Sequence, residues 1–372
     1  MIAPDIAGYR MIDSLDIRNF RALEKVSLKG LSRINVVVGP NASGKTALLE
    51  AITLGCRASP QEALRMWLAR TQTQVVPSGD AGFRAIWSGF FPGLDLARAL
   101  SIQYTDSENN HRGLRIMRTA SPPVVVEQGR PVPTPRPTSG ATDIVALAFE
   151  RRLDNTSEPE IVSSHVGPQG QLIVDNADPI GPAVAMFSAF APPNEADNIT
   201  WYSELSLANR EKEALTILQQ EFPSVRSLDI LGLFGVQGLY VTYGGSPTKL
   251  PVGLVSTGIH KVLSIILASL TYQKGVLLID EVENGIFYRR YRDLWSLMRR
   301  LAVQRNNQIF TTSHSLECLR AALPVVEKHP QEFSLIRMGI GPDGVTARQY
   351  SGAQFAAALA EDVDPRGGEP GS

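Results

Sequence analysis

Apolar and polar residues alternate along residues 12–20, IDSLDIRNF, the period-two pattern of a strand with one buried face. Residues 33–38, RINVVV, form instead a continuous β-branched run, as expected for a strand buried on both faces. A Gly-Pro-Asn turn follows, and the pattern then predicts a helix over residues 44–56 and another over 61–70. Between residues 99 and 175 come short strand-like runs, ALSIQY, GLRIMR, IVALAF and QLIVD, separated by turn-rich segments. Residues 121–140 hold six prolines and read as an exposed loop or flexible insertion. Residues 201–221 predict a helix, and 225–250 predict strand-like pieces broken by glycines.

From residue 252 the order is loop, helix (257–273), strand (275–280), helix (285–305), strand (308–312), helix (315–322) and strand (333–338). Such alternation implies a parallel sheet with helices on its faces. No internal repeat of fixed period appears. The expected organisation is an N-terminal extension over 1–11, a composite head over 12–345, and a C-terminal helix with a flexible tail over 346–372. Within the head, 12–98 is expected to carry the first lobe, 99–200 an inserted β-rich subdomain, 201–251 a helical and β subdomain, and 252–345 the remaining site motifs.

Composition narrows the possibilities. With 372 residues, 43% of them hydrophobic, the chain can bury a core without metal or disulfide staples. Its 36 basic and 37 acidic residues leave a net charge of −1, so no global field calls for nucleic acid or an anionic membrane. Cys56 and Cys318 are far apart in sequence and are expected to be buried small apolar groups, not a disulfide or zinc site. The start, MIAPDIAGYR, lacks a secretory pattern, and the most apolar stretch, 262–270, is too short to span a membrane. A soluble cytoplasmic protein is expected.

Gly39-Pro40-Asn41-Ala42-Ser43-Gly44-Lys45-Thr46 fits G-x-x-x-x-G-K-[ST] at every fixed position. A loop that cradles a polyanion must turn its N–H groups inward, and glycines permit that backbone. The following helix N-terminus adds partial positive charge. Lys45 can reach the β- and γ-phosphate oxygens, and the Thr46 hydroxyl can ligate Mg²⁺. A chance glycine-rich turn is the competing reading, which the buried strand before and the helix after argue against.

Residues 275–281, GVLLIDE, are a buried run that ends in two carboxylates. Such a strand end faces the ligand crevice of an α/β sheet. Asp280 is placed to hold Mg²⁺, and Glu281 to polarise an attacking water; two solvated acids are the bland alternative. Adjacent buried acids repel unless a cation balances them. His314 follows the run at 308–312, in TTSHS. Two readings stand: a histidine that hydrogen-bonds the γ-phosphate, or an incidental neighbour of a helix-capping Ser313. Phe287, Tyr291, Leu294, Met298 and Leu301 share one face at 4-3-4-3 spacing. Arg289, Arg292, Arg299 and Arg300 fall mostly on other faces, read as solvated, with phosphate-backbone binding as the alternative.

Together, the phosphate loop, Asp280-Glu281-Val282-Glu283-Asn284-Gly285 and Thr312-Ser313-His314-Ser315 resemble the OLD-like ABC-type ATPases, related to RecF and SMC heads. IRNFRALEKVSL ahead of INVVVGPNASGKT, and LLIDEVENGIFYRRYRDLW, carry the same resemblance, which covers residues 12–60 and 200–325. It implies a P-loop NTPase fold of ABC head type: a mixed or parallel sheet with helices on its faces, an antiparallel β subdomain and a helical subdomain. It also implies a signature loop ahead of the acidic strand, occupied here by Leu254-Val255-Ser256-Thr257-Gly258. This departs from LSGGQ, since the second glycine is absent. The implied role presents Ser256, Thr257 and Gly258 to the γ-phosphate of a partner subunit; an ordinary N-capped helix is the alternative. A glutamine of such sites is sought at Gln61, Gln72 or Gln74.

The resemblance implies Mg²⁺-dependent ATP hydrolysis by Lys45, Glu281 and His314 in a homodimer or higher homo-oligomer. The implied setting is antiviral defence, with a separately encoded nuclease or toxin. The alternative is a RecF-like repair ATPase that binds DNA. No guanine-reading N-K-x-D motif is present. Some relatives carry a C-terminal TOPRIM nuclease, for which too few residues follow position 337. The Asp362-Val363-Asp364 pair reads as a solvated tail, with metal binding as the alternative.

Overall fold

The structure is a computed structural model that describes residues 11–73, 75–119, 126–127, 130–131, 146–153, 158–167, 169–233, 235–342, 344–361 and 363–366. Two large sheets organise it. The first has six strands in the order Val184–Phe187, Val276–Ile279, Gln308–Thr312, Ile34–Val38, Phe333–Gly341 and Gly344–Ser351. The first five are parallel, and only the hairpin strand Gly344–Ser351 runs against its neighbour.

Strand Ile34–Val38 is buried at every position, as its unbroken apolar run predicts. Its alternation feeds two cores. Ile34, Val36 and Val38 join one side, and Val37 joins the other. Leu277 and Ile279 divide from Val276 and Leu278 in the same way. Asn35, also buried, is satisfied: its amide donates to Ser32 O at 2.7 Å and accepts from Ser334 Oγ at 2.7 Å.

On one face pack helices Glu195–Leu207, Glu211–Glu221, Thr257–Thr271, Tyr291–Arg305, Leu316–Lys328 and Gly352–Ala360. A three-stranded sheet of Val225–Leu233, Val236–Tyr243 and Leu250–Pro251 leans on this layer. On the other face lie helix Lys45–Arg57 and a seven-stranded antiparallel sheet. Its strand order is Leu172–Val174, Glu160–Val166, Ala146–Arg152, His111–Thr119, Leu100–Asp106, Ile12–Phe20 and Leu23–Lys29.

The structure refines several expectations. Strands from 99–200 continue the sheet begun by Ile12–Phe20 and Leu23–Lys29, and Val184–Phe187 joins the parallel sheet, so this stretch shares both sheets with its neighbours. The helix expected over 201–221 is two helices, broken where Asn209 takes a φ of 55°. The helix expected from 285 begins at Tyr291, because Gly285 turns the chain with a φ of +76°. Phe287 therefore leaves the apolar face and is 59% exposed, whereas Tyr291, Leu294, Met298 and Leu301 are buried. Both cysteines are buried and free, and burial pushes each thiol up to about 12. Among the described residues, no helix is long and apolar enough to cross a membrane. Most of the proline-rich stretch 121–140 lies outside the described residues, as does the extension over 1–10.

Candidate functional site

The parallel sheet sets the site. The strand that ends in the phosphate loop and the strand that ends in Asp280 are separated by one strand, Gln308–Thr312. All three open at the same edge, where an α/β sheet receives ligands.

Two positions of the phosphate loop have a backbone that only glycine fits. Gly39 has a φ of +145°, and a Cβ there would sit 2.3 Å from Met338 O. Gly44 has a φ of +89° and starts helix Lys45–Arg57, with Leu23 Cδ2 2.8 Å from where a Cβ would be. Ala42 also takes a positive φ, 61°. Pro40 and Asn41 are exposed, whereas Ser43 is fully buried with no partner for its hydroxyl among the described residues. Lys45 Nζ donates to the carbonyls of Gly39 and Pro40, both at 2.9 Å. Burial lowers the pKa of this ammonium, and Asp280, Glu281 and Glu283 oppose that shift.

Asp280 is 2% exposed and is bridged on both oxygens. Thr46 Oγ1 donates to one at 2.9 Å, and Thr312 Oγ1 donates to the other at 2.6 Å. Thr312 Oγ1 in turn accepts from the N–H of Glu281 at 2.8 Å. Glu281 has a φ of 46°, left-handed backbone that costs a residue with a side chain about 1–3 kcal/mol. Its carboxylate accepts from Asn284 Nδ2 and lies 3.6 Å from His314 Nδ1.

His314 is half exposed, but its backbone is held firmly. Glu283, 6% exposed, accepts from the N–H groups of His314 and Ser315 at 2.9 and 3.0 Å. Ser315, not Ser313, caps the following helix. Arg366 donates to His314 O at 2.6 Å and pairs with Asp364 at 2.6 Å. The Asp364 carboxyl expected in a solvated tail is thus tied to the histidine loop, and hydrogen bonding from Arg366 lowers its pKa. Asp362 lies outside the described residues.

Ser256 caps helix Thr257–Thr271, accepting from Ile259 N at 3.5 Å. Thr257 is exposed, and Gly258 is buried where a Cβ would meet Gly285 O at 2.5 Å. These residues pack on the turn that follows the acids. Among the described residues, no hydrogen bond joins them to the phosphate loop.

None of the expected glutamines is shown beside the acids. Gln61 donates to Asn176, Gln72 ends helix Pro60–Thr71, and Gln74 lies outside the described residues. The edge strand beside Asp280 ends at Phe187, whose carbonyl accepts from Asp280 N at 2.8 Å. Ser188 therefore stands at the strand tip, a position the weak pattern AVAMF did not advertise. Sequence reasoning also missed Glu283, Thr312 and Lys261 as parts of the site. Glu283 and Thr312 stand inside the quoted motifs, which was the available signal, but no role was read for them there.

Residues 11–61 match the family described as "AAA ATPase domain". Residues 129–320, more than half of the chain, match "AAA domain, putative AbiEii toxin, Type IV TA system". The chain belongs to this AAA-domain family. A protein of Helicobacter pylori named ATP/GTP phosphatase is 23% identical over 345 residues, 86% of this chain and 89% of that one. The RecF replication and repair protein of Nitrosococcus oceani is 36% identical over 92 residues, 20% of this chain and 25% of its own length. Among solved structures, an SMC head bound to the C-winged helix domain of ScpA is 11% identical, with a TM-score of 0.46 over 92% of this chain and 98% of that one. The SMC head domain from Thermotoga maritima is 11% identical, with a TM-score of 0.42 over 91% and 98%. The chain is an ATPase of the AAA-domain kind with a P-loop.

Proposed function

We propose that the chain binds Mg-ATP at Gly39 to Thr46 and hydrolyses it in a site completed by a second copy of itself. The observation that carries this reading is the double bridge on Asp280, from Thr46 of the phosphate loop and Thr312 of the histidine strand. It joins the three motifs at one point. The unpartnered Ser43 hydroxyl and the Lys45 ammonium, turned onto loop carbonyls, fit a phosphate chain. Thr46 and Asp280 suit Mg²⁺, which usually takes one or two carboxylates plus phosphate oxygens. Bound there, the ion neutralises charge on the β- and γ-phosphates.

In this reading the loop N–H groups of Gly39, Asn41, Ala42, Ser43 and Gly44 cradle the phosphates, Pro40 shapes the loop without donating, and Lys45 balances their charge. Glu281 accepts a proton from the attacking water. His314, beside Glu281, donates to the γ-phosphate. Ser256, Thr257 and Gly258 face the γ-phosphate held by the partner copy, since their helix start is left unused by the chain's own phosphate loop.

The test uses two variants that push in opposite directions. Glu281→Gln keeps the shape and loses the base, so ATP persists and a dimer accumulates in light scattering with Mg-ATP. Ser256→Arg puts bulk and charge at the contact, so turnover is lost while monomeric ATP binding remains. The lost cap of Ser256 alone costs about 1 kcal/mol, which a melting curve separates from the loss of turnover. A Glu281→Gln protein that stays monomeric, or a Ser256→Arg protein with normal turnover, would leave a site complete within one chain as the better account.

The wider role we infer is a sensor or motor of the OLD-like kind, in the cytoplasm, acting in antiviral defence with a separately encoded nuclease or toxin. The family's description, which names a putative toxin, favours it. The RecF match over 92 residues favours a second role in DNA repair. Strong stimulation of hydrolysis by DNA would choose the second.

A further inference from the structure

Among the described helices, Thr257–Thr271 is the most thoroughly buried, with Gly258 through Leu270 all buried. One of these residues is Lys261, only 8% exposed. Putting an ammonium into such a helix is costly unless hydrogen bonds and opposite charges repay it. Burial pushes its pKa down to about 8, against the opposing pull of Glu283, Asp280 and Glu281. Its Nζ donates to Glu281 O at 2.6 Å and lies 3.4 Å from Asp280 O.

These contacts complete the fixing of one residue. The N–H of Glu281 donates to Thr312 Oγ1 at 2.8 Å. Its carbonyl accepts from Lys261 Nζ and from the N–H of Asn284 at 3.0 Å. Both main-chain polar groups of Glu281 are thus held by side chains from other elements, at a φ of 46° that the backbone would not choose alone. A strained conformation persists only where its surroundings over-determine it.

We propose that Lys261 is a positioning residue for hydrolysis, holding the carbonyls of Asp280 and Glu281 so that the Glu281 carboxylate keeps its aim. This rests on the reading of Glu281 as the water-activating acid. Lys261 touches neither phosphate nor water in this account; it acts through the backbone of Glu281. A merely structural lysine would lower melting temperature, ATP affinity and turnover together.

The experiment compares Lys261→Met, Lys261→Arg, Glu281→Gln and the Lys261→Met/Glu281→Gln pair in the full chain, with circular dichroism to establish folding. Lys261→Met is expected to lower kcat about 10- to 100-fold while ATP affinity changes less than about threefold. Lys261→Arg, which keeps charge and donors, restores much of the lost rate. In the Glu281→Gln background, Lys261→Met changes the residual rate by less than about twofold, because both act through one group. If Lys261→Met does not fold, Lys261→Gln replaces it with the same expected readouts. Normal turnover in Lys261→Met, parallel loss of affinity and rate, or full multiplication with Glu281→Gln overturns the proposal. If Glu281→Gln itself turns over normally, the reading of Glu281 fails first and the role of Lys261 with it. If Glu281→Gln is inactive and Lys261→Met is not, only the Lys261 proposal fails.

Discussion

Removing one hydroxyl, in Thr312→Val, should disable the site while leaving its shape nearly unchanged. Thr312 is fully buried, and its Oγ1 both donates to Asp280 at 2.6 Å and accepts from Glu281 N at 2.8 Å. Valine loses both bonds. A hydrogen bond to a charged group contributes about 1.5–3 kcal/mol, and a stranded buried N–H costs about 1–3 kcal/mol. Asp280 keeps its bond from Thr46, so its carboxylate is not abandoned. If about half of the combined loss falls on the hydrolytic step, turnover drops about 10- to 150-fold at 1.36 kcal/mol per tenfold. ATP affinity without Mg²⁺ should change less than about threefold, since the contacts of Gly39 to Thr46 are elsewhere. Phosphate release at saturating Mg-ATP measures the first quantity, and a fluorescent nucleotide titration the second. Thr312→Ser, with its hydroxyl retained, should stay within about fivefold of the parent rate. A Thr312→Val protein that turns over within twofold of the parent would refute the reasoning, because the bridge would then hold nothing that hydrolysis needs.

Lys45→Ala removes the cation nearest the phosphates and should weaken Mg-ATP binding by about 10- to 150-fold, read by isothermal titration on the folded variant; unchanged affinity contradicts the assignment. Glu50→Ala should destabilise the fold by about 3–5 kcal/mol in urea titration, because it leaves a buried charge alone. Glu50 is 3% exposed, accepts from Arg70 Nε at 2.6 Å and is ion-paired with Arg21, whose Nε lies 3.2 Å away, with Arg21 stacked over Phe20 and Phe90. A loss under about 1 kcal/mol would mean that Arg21 finds water or another partner.

Much of this was legible along the chain because local chemistry fixed it. INVVV had to be a strand buried on both faces, and the loop after it needed glycine where Gly39 meets Met338 O. GVLLIDE announced a buried strand with acids at its tip. What stayed hidden depended on neighbours distant in sequence. Nothing local says that strand Val184–Phe187 pairs with Val276–Ile279, so the tip residue Ser188 was invisible. Thr312 looked like a β-branched strand residue until its strand was placed between the other two. Lys261 drew no reading from the sequence, and only the fold gives its ammonium the carbonyls of Asp280 and Glu281. The helix expected from 285 failed because spacing cannot register the positive φ of Gly285, and Phe287 was assigned to a buried face for the same reason.

The turn after Asp280 binds these separate facts into one device. Glu281 and Glu283 are two residues apart, and both carboxylates reach His314, with Glu283 Oε1 3.5 Å from its Nδ1. Glu281 lies against His314 Nδ1, while Glu283 holds the N–H groups of His314 and Ser315. Gly285, two residues further, packs on Thr257 and Gly258 at the start of the helix that carries Lys261. A displacement of that helix start is therefore felt at Gly285 and, through the Lys261 ammonium, at the Glu281 carbonyl. A displacement of the turn reaches His314 through Glu283. The residues proposed to meet a partner's nucleotide, Ser256 and Gly258, thus sit on the same mechanical path as the acid proposed to activate water. A segment that served only to cap a helix would have no need of a buried lysine four residues beyond Thr257 reaching back to that acid.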